Sequence, residues 1–304
     1  MPTQHNKMHS CAIIVSFEPD IDVLLALLTQ IDEQADFILI DNASSRAAEF
    51  LPRLASLPRC RHVAGLSDNV GLASAMNIGL RWVRDAGYDY AVLFDQDSQV
   101  PVSFFADMQS AFGAAQALSG NAVAALGPRI VSLINGRAMP FKLFSRLLRR
   151  SNQAIAGSSD LFHADFLISS GCMLALPALE RIGLMRDAYF IDNVDLEWCF
   201  RATAHGYRLV GTDRAVLHHS IGLASDNPLV RKGVIISHSP LRSYYSTRNR
   251  FALYRETYAP WGWKLRDFPR FLLKTLWLLL FSPQRADYWR NIRRGLADVG
   301  SVRP

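Results

Sequence analysis

Tyr90-Ala91-Val92-Leu93-Phe94-Asp95-Gln96-Asp97-Ser98 runs from a short apolar stretch into two carboxylates one residue apart. Apolar residues bounded by a polar turn predict a buried strand, and the alternation of extended backbone aims Asp95 and Asp97 to the same side. Open α/β sheets collect their ligands at the carboxyl ends of strands. Two acids there suit Mg²⁺ or Mn²⁺, which take carboxylate oxygens and share themselves with substrate phosphates. A solvated turn is the competing explanation, and the commoner one for an isolated pair of acids.

Working outward, Cys11–Phe17, Phe37–Ile40 and Ala122–Leu126 read as further strands, while Ile21–Ile31, Val70–Val83 and Val102–Leu118 carry helical spacing. Strand and helix alternate, which predicts an α/β fold with a mixed, largely parallel central sheet. From Asn135 to Asp160 the pattern breaks around Arg137, Lys142, Arg146, Arg149 and Arg150, a candidate mobile loop beside the site. A strand over Phe166–Leu176 and a helix over Asp195–Gly206 follow.

The chain has 304 residues, half of them hydrophobic, enough to bury a full core. Its four cysteines, Cys11, Cys60, Cys172 and Cys199, lack metal-ligand spacing, and no secretory signal is read ahead of them, so reduced thiols in the cytoplasm are expected. Charge is uneven: residues 231–304 hold fifteen Lys or Arg against four Asp or Glu, a net +11, leaving −5 of the total +6 for residues 1–230. That basic segment interleaves Trp261, Trp263, Trp277, Tyr288 and Trp289 with arginines, and its run Phe271–Phe281 is shorter than the roughly 20 residues a bilayer span needs. Helices lying on an anionic membrane surface and helices packed against the domain or a second copy fit it equally. Nucleic acid fits less well, because the basic residues sit in apolar sequence instead of forming a polar stripe.

Four other segments carry candidate chemistry. Ser16 and Asp41 close the first two strands, where an acid can meet a ribose or base, although Asp41-Asn42-Ala43-Ser44 is also a good helix entry. Asn69-Val70-Gly71 opens a helix lined with small residues that let something approach closely. Neither a dinucleotide fingerprint nor a Walker loop is present there. Phe190-Ile191-Asp192-Asn193-Val194-Asp195-Leu196-Glu197-Trp198 supplies three acids: on a helix Asp192 and Asp195 would share a face, whereas Glu197 would pair with Arg201. A carboxylate among Phe190, Trp198 and Phe200 can serve as a base, or simply complement a helix dipole. His218 and His219 end a later strand and point oppositely, so at most one is a ligand.

Taken in order, Asp41-Asn42, Asn69–Gly79, Asp95-Gln96-Asp97-Ser98, Ile168-Ser169-Ser170-Gly171-Cys172, Asp192–Arg201, His219 with Gly222, and Tyr244-Tyr245-Ser246-Thr247-Arg248-Asn249 resemble family 2 glycosyltransferases, most closely bacterial rhamnosyltransferases. The resemblance implies a GT-A fold over residues 1–230 with a basic helical appendage over 231–304, and transfer with inversion. It places Ser16, Asp41, Asn69, Gly71 and Asp95 at the nucleotide, Asp97 and His219 on Mg²⁺ or Mn²⁺, and Arg248 and Arg250 at phosphate. Ser170, Gly171, Glu197 and Trp198 then face the sugars. Asp195 aligns with the catalytic base, with Asp192 as the alternative, and Val194 stands where the family's commoner pattern has a glutamate. The implied donor is dTDP-L-rhamnose; the implied acceptor is a lipid-linked glycan or glycolipid at the inner face of the cytoplasmic membrane, as in O-antigen assembly or, second, rhamnolipid synthesis. Rival classes are a phosphohydrolase using Asp95 as nucleophile and a noncatalytic sugar-nucleotide-binding protein.

Overall fold

The computed structural model describes residues 8–119, 122–133, 136–144, 150–219 and 239–302. Arg146, Arg149, Gly222 and the boundary at residue 230 lie outside these, as do the side chains of Arg150 and His219. In chain order the elements are β1 (Ser10–Ser16), α1 (Ile21–Asp32), β2 (Asp36–Asp41), α2 (Ala47–Ala55), β3 (Cys60–Gly65), α3 (Leu72–Asp85), β4 (Tyr90–Asp95), α4 (Phe104–Ser119) and β5 (Val123–Ser132). After a short antiparallel pair, β6 (Lys142–Leu143) and β7 (Arg150–Ser151), come β8 (Leu161–Ala164), β9 (Met173–Ala175), α5 (Leu176–Ile182), α6 (Val194–Ala204) and β10 (Arg208–His219). Three helices follow: α7 (Pro240–Arg255), α8 (Trp261–Phe281) and α9 (Arg285–Ala297).

One eight-stranded sheet has the order β3-β2-β1-β4-β9-β5-β10-β8. Parallel pairing joins β3, β2, β1 and β4, and also β5 and β10, while β9 runs antiparallel between the two groups and β8 antiparallel at the edge. Six strands therefore share a direction, as the alternation predicts. Ser16 pairs with Asp41, Val15 with Asp95, and His219 with Ser132, which brings the expected polar residues to one edge of the sheet.

Local sequence explains the elements. Every residue of β1 is buried, and α1 turns Leu24, Leu27, Leu28 and Ile31 inward at helical spacing after Asp20 caps the N–H groups of Asp22 and Val23. The predicted strand Phe166–Leu176 shrinks to Met173–Ala175, because Gly171 takes a positive φ of 76° and Pro177 starts a helix. The helix expected from Asp195 begins at Val194, so Asp192 precedes it and shares no helical face with Asp195. Sequence reading leaves out β3, a half-exposed strand whose Cys-Arg-His opening lacks an apolar run, and α2, which holds Pro52.

The C-terminal helices dock on this layer. Phe200 of α6 packs with Leu253, Ala259 and Trp263, and Leu278, Tyr288 and Ile292 join α8 to α9. Among the described residues no helix is long and apolar enough to cross a membrane.

Candidate active site

The edge where β1, β2 and β4 end is bound together by side chains. Ser16 and Ser44 donate to Asp41 Oδ2 at 2.8 and 2.6 Å, and the Ser44 N–H reaches Oδ1 at 2.9 Å. Ser16 and Asp41 are wholly buried. Expected at the nucleotide, they tie the end of β1 to the end of β2, and Asp41 spends three acceptor positions on that link. Gln96 accepts from the Phe17 N–H at 2.8 Å, tying the acidic loop to β1.

Asp97 is exposed on that loop and Asp95 half-buried behind it. Beneath them Ser170 hydrogen-bonds Ser98 at 2.7 Å, and the Gly171 N–H donates to the Leu93 carbonyl at 2.7 Å. Ser170 and Gly171, expected at the sugars, are thus a buried support for the acids. A Cβ on Gly171 would come 2.9 Å from both Leu217 and Pro128. Gln99 bridges to His218, which brings the end of β10, and with it the backbone of His219, beside the acidic loop. Among the described residues no three His, Cys, Asp or Glu side chains converge as a self-sufficient metal site. Two carboxylates on one loop suit a cation that takes its remaining ligands from a diphosphate and water.

Asp195 stands at the start of α6, half-buried, with the Leu196 N–H 2.8 Å from Oδ1. Burial pushes its carboxyl up to about 6; the N–H groups of Leu196 and Ser169 resist this, while the charges of Asp95 and Asp192 add to it. That coupling places Asp195 in the electrostatic field of the acidic loop. Asp192, the alternative base, is instead bonded through both oxygens to Arg242. Both of its oxygens are thus taken by a guanidinium, whereas Asp195 accepts from backbone N–H groups.

Further corrections concern the residues around α6 and α7. Glu197 is wholly buried, bidentate to Arg201 at 2.8 and 2.9 Å, 3.2 Å from Arg186, and accepts from Tyr258 at 2.7 Å. Trp198 is buried and donates to the Gly183 carbonyl at 3.0 Å. Both face the core and not a sugar. Arg248 spends its guanidinium on the Ala188 and Tyr189 carbonyls and on Asn249, and Arg250 pairs with Asp267 at 2.7 Å. Both guanidinium groups, expected at phosphate, are engaged within the chain. Asn69 is exposed and accepts from the Asn42 amide and the Gly71 N–H, whereas Gly71 meets Phe190: a Cβ there would lie 2.5 Å from that ring. The close approach foreseen at the small-residue helix is made by the chain's own segment ahead of α6.

Sequence reasoning overlooks the role of Asn249. Its amide nitrogen is shared by the carbonyls of Tyr189, Ile191 and Asp192, at 2.7, 2.8 and 2.9 Å. Phe190, Asp192 and Asn193 all have positive φ, a costly run that neighbouring structure must hold in place.

Residues 11–165, half of the chain, match the family described as Glycosyl transferase family 2. This chain is a family 2 glycosyltransferase. The dTDP-rhamnosyl transferase RfbF of Shigella flexneri is 28% identical over 282 residues, 92% of this chain and 91% of that protein. Among solved structures, GalNAc-T7 with UDP, GalNAc and Mn²⁺ superposes with a TM-score of 0.63 at 14% identity over 99% of this chain, which spans only 59% of GalNAc-T7. Mannosyltransferase PcManGT of Pyrobaculum calidifontis, with GDP-Man and Mn²⁺, gives 0.55 at 16% identity over 97% of this chain and 76% of its own. These likenesses identify the GT-A type of fold, and family membership decides for a transferase over a phosphohydrolase.

Proposed function

We propose that the chain transfers L-rhamnose from dTDP-L-rhamnose to a hydroxyl of a lipid-linked glycan or glycolipid, with inversion, during assembly of a cell-surface polysaccharide such as O-antigen. The chemistry rests on one observation: a half-buried carboxylate, Asp195, whose basicity is raised beside the acidic loop. The donor rests on the likeness to RfbF along nearly the whole chain.

In this reading Asp195 takes the proton of the acceptor hydroxyl as its oxygen attacks the anomeric carbon, and the nucleoside diphosphate departs from the opposite face. A positioned base of this kind contributes on the order of 10²- to 10⁴-fold. Asp97, with Asp95 behind it and His219 at the end of β10, would hold Mg²⁺ or Mn²⁺, which when bound neutralises charge on the leaving diphosphate. Asn69 and the loops braced by Ser16 and Asp41 frame the nucleoside, and Ser170 with Gly171 set the height of the acids. We treat residues 231–304 as an appendage that meets the inner face of the cytoplasmic membrane.

Calorimetric titration with dTDP-L-rhamnose, UDP-glucose and GDP-mannose, each with and without Mn²⁺, tests the donor. Tightest binding of the thymidine donor, weakened by chelation, supports the assignment; preference for a uridine or guanosine donor overturns it.

A further inference from the structure

Helices α7, α8 and α9 each turn one face toward a common crevice with about 420 Å³ of empty space, solvent at its mouth included. Arg242, Ser246 and Arg250 line it from α7 at four-residue spacing, and Lys274 and Thr275 line it from α8. Its floor is the apolar cluster that joins α8 to α9. Among the described residues no carboxylate lines it.

The three cations differ in what answers them. Arg250 pairs with Asp267 at 2.7 Å and gives another N–H to the Ser246 hydroxyl at 3.2 Å. Arg242 is turned to Asp192 and bonds both of its oxygens. Lys274 is half-buried and makes no hydrogen bond or ion pair with a described residue. Burial lowers its ammonium to about 8; the Arg250 and Arg242 guanidinium groups add to this, while Asp192 and Asp267 partly offset it. An ammonium held out of water beside two guanidinium groups is unfavourable until an anion joins them. The donors identify the anion. The three N–H groups of Lys274, the N–H groups of Arg242 that Asp192 does not take and the Thr275 hydroxyl outnumber what the two oxygens of a carboxylate serve well, whereas a phosphoryl group presents three or four oxygens to them.

We propose that this crevice is a phosphoryl-binding site, separate from the one that takes the diphosphate of the sugar donor, with Lys274 and Arg242 as its ligands. The acidic loop reaches a diphosphate through a cation; here cationic side chains meet the anion themselves, so binding needs no metal. Arg242 is shared with Asp192, whose charge is felt at Asp195, and an anion in the crevice is thereby linked to the catalytic segment. The site stands whether or not the donor is dTDP-L-rhamnose, because its test uses neither donor nor acceptor.

The full chain is titrated calorimetrically with inorganic phosphate and with inorganic diphosphate, a chelator being present, against sodium chloride at matched ionic strength. Phosphate or diphosphate binds and raises the melting temperature, and chloride does neither. Lys274→Met weakens that binding about tenfold or more, the effect of losing a charge-assisted hydrogen bond, while in phosphate-free buffer it melts no lower than the native chain because a buried charge has gone. Asp192→Asn tightens binding severalfold, since it releases Arg242 to the anion. Asp97→Asn, at the acidic loop, leaves binding unchanged. Phosphate and diphosphate that act no differently from chloride would overturn the proposal, as would a Lys274→Met variant that binds like the native chain, an Asp192→Asn variant that binds no tighter, or loss of binding in Asp97→Asn.

Discussion

Asn249 Nδ2 lies 2.9 Å from the backbone carbonyl of Asp192, and this contact fastens α7 to the segment that delivers Asp195. With its bonds to the Tyr189 and Ile191 carbonyls it constrains a stretch in which Phe190, Asp192 and Asn193 have positive φ. A helix far along the sequence thereby sets the position of a carboxylate at the sheet edge. The ring of Tyr245 stacks on Phe190, 4.8 Å between centroids, and strengthens the same junction.

Asn249→Ala should leave three carbonyls without their shared donor and release that stretch. The expected cost is about 1–3 kcal/mol in stability. Turnover should fall by about tenfold or more, and by more than donor affinity, because Asp195 lies in the released segment while Ser16, Asp41 and Asn42 keep their own bonds. Thermal melts and a kcat-against-KM comparison check this; a parallel loss of donor binding would contradict a role confined to the catalytic segment.

Glu197→Gln should be among the most destabilising changes of a polar residue. Glu197 neutralises Arg201 with no exposure to water, and Arg186 keeps Glu256 as a partner, so its amide leaves the Arg201 guanidinium uncompensated, a loss of about 3–5 kcal/mol when one partner of a buried pair goes. Denaturant unfolding measures it. A variant as stable as the native chain would return Glu197 to the list of ligand-facing residues.

Gly71→Ala should strain the helix entry twice over, through a φ of 86° and through the Phe190 ring 2.5 Å from the new methyl. We expect about 1–3 kcal/mol of lost stability and a lower kcat, since Phe190 must move and it lies in the segment leading to Asp195. Melting and initial-rate measurements read both.

The fold was legible because buried runs such as Ala91–Phe94 and the helical spacing of α1 are written in apolar residues, and the acidic turn after β4 stood where a parallel sheet opens. The pairing of Glu197 with Arg201 followed from helical spacing alone. What stayed hidden depends on contacts between distant segments. Nothing in Arg248-Asn249 says that their polar groups will be consumed by carbonyls sixty positions upstream, so Arg248 reads as a phosphate ligand and Asn249 passes without a role. Ser16 and Asp41 look like ligands for the same reason: a buried serine–aspartate bond between adjacent strands has no one-dimensional signature. Edge strand β3 was missed because half-exposed residues need no apolar pattern.

Asp195 ties stability to pH in a way opposite to an ordinary surface acid. Its folded value, about 6, lies above the 3.8 of an unhindered aspartate, so the folded chain holds the proton more tightly. Its contribution is fully present below about pH 4 and is lost as pH rises through about 6, an effect of order 1–3 kcal/mol. Asp195→Asn should therefore melt higher than the native chain at pH 7, with the difference vanishing below pH 4. Native transfer should rise along an acid limb at or below about pH 6, because a cation near Asp95 removes part of the like charge that raises Asp195. A melting temperature unchanged by the substitution would contradict this account of its environment.

The most direct test of the proposed chemistry is to measure, on Asp195→Asn, both rhamnosyl transfer from dTDP-L-rhamnose to a lipid-linked acceptor and calorimetric binding of that donor with Mn²⁺. Loss of transfer by about 10²-fold or more with donor affinity within about twofold of native is the predicted result. Near-native transfer by this variant would contradict the assignment of Asp195 as the base.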